Sequence, residues 1–136
     1  MYKCIIFDFL GVLHPDVNNR AKNVVKEIKD LGIEVGGITN LGQSSADKIA
    51  KEFNIEKYYV APEMNLPKTD STIYEKFINE YGFLPVECLV IDDLPDNLIA
   101  PSSLGIKTVY LGKKVGVEAD YVISQISELL DVVRSG

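Results

Sequence analysis

The sequence predicts a three-layer α/β fold: a mostly parallel sheet of five or six strands with helices on both faces. Three observations carry that reading. Short apolar runs alternate with helical stretches from one end of the 136-residue chain to the other, which is the pattern of a parallel sheet covered on both sides. Several of those runs stop at polar residues, namely Asp8, Thr39 and the pair Asp92-Asp93. No internal repeat, low-complexity segment or linker breaks the alternation, so residues 1–136 read as one domain, as the length also suggests. Right-handed crossovers then leave few topologies open.

The first element is the apolar run from Lys3 that ends in Asp8, with Phe9-Leu10-Gly11-Val12-Leu13 behind it. A run this short and apolar reads as a strand buried on both faces, with Asp8 at its carboxyl end. After a polar turn at His14-Pro15-Asp16-Val17-Asn18, Ala21, Val24, Val25, Ile28 and Leu31 recur at helical spacing until Gly32. Ile33 to Ile38 is the second strand, weakened by two glycines and ended by Thr39-Asn40. Ser44 or Ser45 is expected to cap the next helix, whose inner stripe is Ile49, Ala50 and Phe53.

Tyr58-Tyr59-Val60 is a short third strand, and Pro62 to Pro67 reads as a loop. Asp70 or Ser71 starts a helix with Ile73, Tyr74, Phe77, Ile78 and Tyr81 on one side, ended by Gly82. Cys88 to Ile91 is the fourth strand and runs straight into Asp92-Asp93. Leu94 to Leu104 is expected to be helical but kinked or shortened by Pro101, because an interior proline removes a hydrogen bond and clashes with the preceding turn. Lys107 to Tyr110 forms a fifth strand and Tyr121 to Ile123 a sixth. A last helix carries Ile126, Leu129, Leu130 and Val133.

Composition narrows the partners. The net charge of −6 argues against a nucleic-acid backbone, which selects basic surfaces. No stretch approaches the ~20 apolar residues of a membrane span, and the N-terminus lacks the features of a signal peptide. Cys4 and Cys88 both fall in predicted buried strands. They read as reduced core residues, which points to a cytoplasmic location. Two cysteines and one histidine also lack the spacing of a structural zinc site.

In a parallel sheet the ends carrying Asp8, Thr39, Asp92 and Asp93 share one edge, the edge where ligands bind. Lys68 precedes the helix that leads back to the fourth strand, so it reaches the same edge. Carboxylates suit a hard cation such as Mg²⁺, which takes oxygen ligands. A hydroxyl, an ammonium and free N–H groups at a helix start suit a phosphate.

Four stretches in order resemble the motifs of the haloacid dehalogenase (HAD)-like hydrolases: Phe7-Asp8-Phe9-Leu10-Gly11-Val12-Leu13, Thr39-Asn40, Leu66-Pro67-Lys68-Thr69-Asp70-Ser71-Thr72-Ile73-Tyr74 and Val90-Ile91-Asp92-Asp93. The resemblance spans nearly the whole chain and implies a Rossmann-like core. It also implies a Mg²⁺-dependent phosphohydrolase in which Asp8 takes the phosphoryl group as an aspartyl phosphate. By the same resemblance Thr39, Asn40 and Lys68 hold the phosphate, and Lys68 keeps Asp8 ionised. Asp8, Asp92, Asp93 and the backbone carbonyl of Leu10 hold Mg²⁺. A receiver domain combines similar residues, but there the acidic pair follows the first strand and the lysine comes last.

The chain departs from the family pattern twice. Most phosphatases of the family carry a second aspartate two residues after the nucleophile, a general acid and base, and here that residue is Leu10. Three readings follow. His14 or Asp16 substitutes as acid or base, the substrate has a leaving group that needs no acid, or the domain is a catalytically impaired relative that binds a phospho-ligand or a protein. Secondly, the connections after Leu13 and between Thr39 and Lys68 leave no room for a cap domain. An open site favours a bulky phosphorylated substrate, or closure by a homo-oligomer.

Overall fold

In the computed structural model, which describes residues 1–136, every strand pairing is parallel. The strands are β1 Cys4–Phe7, β2 Glu34–Thr39, β3 Lys57–Val60, β4 Cys88–Asp92, β5 Lys107–Leu111 and β6 Tyr121–Ile123. The helices are α1 Arg20–Asp30, α2 Gln43–Phe53, α3 Ala61–Met64, α4 Ser71–Tyr81, α5 Ile99–Ser103 and α6 Leu129–Ser135. The strand order is β3-β2-β1-β4-β5-β6. The chain therefore works outward from β1 to β3, then crosses back to lay β4 against the other side of β1. Strand order reverses between β1 and β4, and the loops leaving the two strands part there and open a crevice.

The alternation along β1 explains its continuous apolar character. Ile5 and Phe7 join the core formed with α1, α2 and α6, while Cys4 and Ile6 join the core formed with α4 and α5. Both faces are covered, as a buried parallel strand requires. Cys4 lies opposite Cys88 in register, and both are free, buried thiols. No helix is long and apolar enough to cross a membrane.

The two glycines of β2 have a packing reason. A Cβ on Gly36 would meet Phe77 Cζ at 2.4 Å, and one on Gly37 would meet Phe9 Cε1 at 2.4 Å. Aromatic rings thus lie directly on the strand from opposite faces, so the glycines admit core packing there.

Three local expectations change. Pro62 to Pro67 is not wholly loop, because Ala61–Met64 forms one helical turn with Pro62 near its start, where its missing N–H is no loss. Neither Ser44 nor Ser45 caps α2. The helix begins at Gln43 after Gly42, and both serines fall in its first turn. The predicted helix from Leu94 to Leu104 divides into a 3-10 turn at Pro95–Leu98 and the short α5, which places Pro101 in the first turn of α5, where proline is tolerated. The cap of the following helix is as expected, with Asp70 Oδ1 accepting from the Thr72 N–H at 2.9 Å.

Candidate active site

Asp8 follows the last residue of β1. Its N–H donates to the Ile91 carbonyl of β4 at 3.0 Å, and Phe7 pairs with Ile91. The parallel register therefore sets Asp8 beside Asp92. The next residues fold back tightly. The Phe9 carbonyl accepts from the Leu13 and His14 N–H groups, both at 2.9 Å, and the Gly11 N–H donates to the His14 carbonyl at 2.8 Å. Phe9, Val12 and Leu13 are buried and anchor this loop, whereas Leu10 turns outward and is 54% exposed.

Lys68 arrives from the crossover that returns the chain to β4. It is 2% exposed, with Nζ 2.8 Å from Asp8 Oδ1 and 2.7 Å from Asp92 Oδ2. A buried ammonium is stable only when paired, and this one is paired twice. Asp92 is wholly buried. Its Oδ1 accepts from the Leu94 N–H at 3.0 Å. Its Oδ2 lies at ion-pair distance from Lys68 but outside hydrogen-bonding angles, so it is a buried carboxylate oxygen without a hydrogen bond. The contact counts as an electrostatic attraction that leaves the oxygen's lone pairs unfilled.

Burial pushes the Asp8 carboxyl up from its ordinary 3.8 to about 8. Lys68 pulls the other way, while the nearby Asp92 charge and the Asp93 side chain add to the rise. Lys68 alone thus does not offset the desolvation of Asp8. Physically, two buried carboxylates and the half-buried Asp93 share one ammonium.

That imbalance fits a divalent cation. Asp8, Asp92 and Asp93 each bring a carboxylate oxygen to within 4.8 Å of the others. An oxygen-only donor set with one buried oxygen lacking a hydrogen bond suits a hard ion such as Mg²⁺. The approach of Asp93 depends on Gly11. Gly11 has φ +93°, and a Cβ there would lie 2.2 Å from Asp93 Oδ2, so only glycine leaves the carboxylate its place.

Thr39 ends β2 fully buried, and its Oγ1 accepts from the Leu41 N–H at 3.1 Å. Its own hydroxyl proton is not donated to any protein acceptor. Thr39 and Asn40 join Asp8, Asp93, Leu10, Leu41, Leu94 and Asn97 around one shallow depression. Asn97 is buried, and its carbonyl accepts from the Tyr74 hydroxyl at 3.3 Å. Sequence reasoning passed over Asn97 and the spacing role of Gly11. Their signals are a polar residue four positions after Asp93 and a glycine three after Asp8.

The structure does not bring His14 and Asp16 into this depression. His14 is exposed and its side chain makes no hydrogen bond. Asp16 turns its carboxylate to α1, accepting from the Ala21 and Lys22 N–H groups at 2.7 and 3.2 Å, and so caps the helix start.

Comparison with known proteins adds a family. The model of the haloacid dehalogenase-like hydrolases matches residues 14–105, a span that includes Thr39, Lys68 and Asp92 and begins after Asp8 and Leu10. The chain is 28% identical over 122 residues to the Clostridium perfringens protein named "Putative pyrophosphatase PpaX", covering 82% of this chain and 57% of that relative. The chain therefore spans little more than half the length of that relative. Among solved structures, the core domain of a Streptococcus pneumoniae TIGR4 protein described as a "putative phosphoglycolate phosphatase" superposes with TM-score 0.79 at 16% identity, covering 100% of this chain and 98% of that one. The 3-deoxy-D-manno-octulosonate 8-phosphate phosphatase of Moraxella catarrhalis, solved with magnesium, phosphate and sugar, gives TM-score 0.75 at 17% identity over 98% of this chain and 86% of its own. At these identities the structural likeness establishes the fold.

Proposed function

The chain belongs to the haloacid dehalogenase-like hydrolases, and from that premise we propose that it is a Mg²⁺-dependent phosphohydrolase working through an aspartyl phosphate on Asp8. The observation that carries this reading is Lys68, a buried ammonium held between Asp8 and Asp92 at the point where strand order reverses. A nucleophile for a phosphoryl group must be an anion close to positive charge, because the incoming phosphate is itself anionic. Asp8 and the Lys68 ammonium stand 2.8 Å apart, and a cation bound beside them would supply the remaining positive charge that an ionised Asp8 requires.

In this reading Asp8 attacks phosphorus, the bond from phosphorus to the leaving oxygen breaks, and water later cleaves the acyl phosphate to restore the carboxylate. Two easier displacements replace one difficult one. Lys68 offsets charge on the phosphoryl oxygens, and Thr39 and Asn40 donate to them. Asp8, Asp92, Asp93 and the Leu10 carbonyl would hold the cation. Bound there, Mg²⁺ supplies the positive charge that three carboxylates and one ammonium lack. The substrate is a phosphorylated molecule admitted by an uncovered depression. The free, buried Cys4 and Cys88 agree with a reducing, cytoplasmic setting.

The test is turnover of a panel of phosphate esters with Mg²⁺, using Asp8→Asn as the control. Loss of activity in the variant is expected, and equal activity in both proteins overturns the reading. One observation favours a second reading, a non-catalytic domain that binds a phospho-ligand or a protein: no carboxylate stands beside Asp8 at Leu10. That reading requires ligand-dependent thermal stabilisation without turnover.

A further inference from the structure

We propose that this site is built for aryl or acyl phosphates, whose leaving oxygen departs as a stabilised anion without a proton from the protein. The inference rests on the phosphohydrolase reading above and narrows its substrate class. Two independent observations carry it. First, the residues lining the depression include no acid outside the carboxylate cluster. Leu10, two residues after Asp8, lines the depression with an aliphatic side chain that has no proton to give. Asp93 is drawn into the carboxylate cluster beside Asp8. Asp16 is committed to the start of α1 and His14 stands outside the depression. A positioned acid contributes ~10²–10⁴-fold where the leaving group must be protonated, as an alcohol must, and nothing where it departs as a stable anion.

Second, exposed leucines stand among the polar residues around the depression. Leu10 and Leu94 are 54% and 51% exposed and line the same depression as Asp8, with the half-buried Leu41 between polar neighbours. Scattered exposed leucines are ordinary. Two that line one depression with the nucleophile offer apolar contact there, which disfavours a polyol leaving group and favours a phenyl ring or a short acyl chain.

The chemistry balances without a protein proton. Asp8 Oδ bonds to phosphorus as the P–O bond to the leaving group breaks, and the electron pair leaves on a phenolate or carboxylate oxygen. Water then attacks phosphorus, the P–O bond to Asp8 breaks, and the proton of water passes to solvent or to the released phosphate. With no base at Leu10 to activate that water, the second step is the slow one.

The test measures kcat/KM with Mg²⁺ for p-nitrophenyl, phenyl, acetyl and n-butyl phosphate, together with the pre-steady-state release of p-nitrophenolate. The intact wild type is expected to prefer aryl and acyl over butyl phosphate by about 10²-fold or more. It is also expected to release a burst of p-nitrophenolate approaching one per chain, with a phosphorylated chain visible by intact mass. Leu10→Asp is expected to raise butyl phosphate turnover by at least about tenfold and so narrow the preference, whereas Leu10→Asn, which adds polarity without an acid, leaves it wide. Leu94→Ser is expected to raise KM for p-nitrophenyl phosphate more than for acetyl phosphate. Butyl phosphate turned over within about tenfold of p-nitrophenyl phosphate by the wild type overturns the proposal, as does an unchanged preference in Leu10→Asp, while the phosphohydrolase reading survives both. Activity that persists in Asp8→Asn overturns that reading and this inference together.

Discussion

The sharpest consequence of the site's charge balance is that the metal-free protein should gain stability when Asp8 is made neutral. The ordinary aspartate carboxyl ionises near 3.8, and in the folded chain burial, Asp92 and Asp93 push Asp8 up to about 8 against the pull of Lys68. Between those limits the folded chain keeps a proton that the unfolded chain has released. Stability therefore falls as pH rises through this window, and the loss is complete above it. Each factor of ten in an ionisation constant is ~1.4 kcal/mol, so the loss by pH 8 is on the order of 5 kcal/mol at most. Asp8→Asn keeps the shape and removes the titration. In EDTA at pH 5 both side chains are uncharged in the folded state, but Asp8 of the unfolded wild type is already ionised, so the variant should be more stable by only about 2 kcal/mol. At pH 8 the variant should be more stable by several kcal/mol, a Tm difference of ~10 °C or more for a domain of this size. Thermal melts followed by circular dichroism at the two pH values decide it. A variant less stable than wild type at pH 8, or a difference equal at both pH values, would refute the charge balance described here. Mg²⁺ should then stabilise wild type more than the variant, because only the former keeps the full carboxylate set.

Gly11→Ala places a Cβ 2.2 Å from Asp93 Oδ2 on backbone at φ +93°, so it should cost ~1–3 kcal/mol in urea unfolding and weaken Mg²⁺ binding by calorimetry. Gly36→Ala drives a methyl against Phe77 Cζ at 2.4 Å and should cost a similar ~1–3 kcal/mol through overpacking, with Mg²⁺ affinity unchanged. Asp16→Ala removes the acceptor of two α1 N–H groups and should lower stability by ~1 kcal/mol, read as a shift in urea midpoint at constant slope. Asp70→Ala should cost about as much by uncapping α4 at the Thr72 N–H.

The sheet and the convergence of Asp8, Thr39, Lys68 and Asp92 could be read in the sequence because they follow from chain order alone. In a parallel sheet every strand leaves from the same edge, so the residue after each apolar run is placed without knowing any distance. What escaped depends on contacts between distant segments. Gly36 and Gly37 looked like weak points in β2, since nothing local reveals that Phe77 and Phe9 press on them. Gly11 looked like turn chemistry until β4 brought Asp93 against it. Asp16 looked like a free acid beside the site because its hydrogen bonds run to Ala21 and Lys22 across a turn of undefined shape. Ser44 and Ser45 are good caps by composition, yet the turn in which Thr39 holds the Leu41 N–H starts α2 before either can serve.

The route by which Lys68 reaches Asp8 explains why the site and the fold are hard to separate. The two stand sixty positions apart in the chain, but the crossover from β3 to β4 must pass back over the carboxyl edge of β2 and β1 to place β4 beside β1. The crossover just before α4 passes the mouth of β1, and of its residues 67 to 70 it is Lys68 that is buried and meets Asp8 and Asp92. The pairing holds the crossover to the sheet only in part, because one ammonium faces three carboxylates. A fold that sought stability alone would place one carboxylate there, or none. The surplus negative charge has a physical use only if a cation, and with it an anionic substrate, completes the site. In Leu10 the same logic runs in reverse: this exposed position two residues after Asp8 carries no carboxylate. On the aspartyl-phosphate reading proposed above, such an arrangement suits taking a phosphoryl group from a leaving group that needs no help, and suits poorly hastening its release to water.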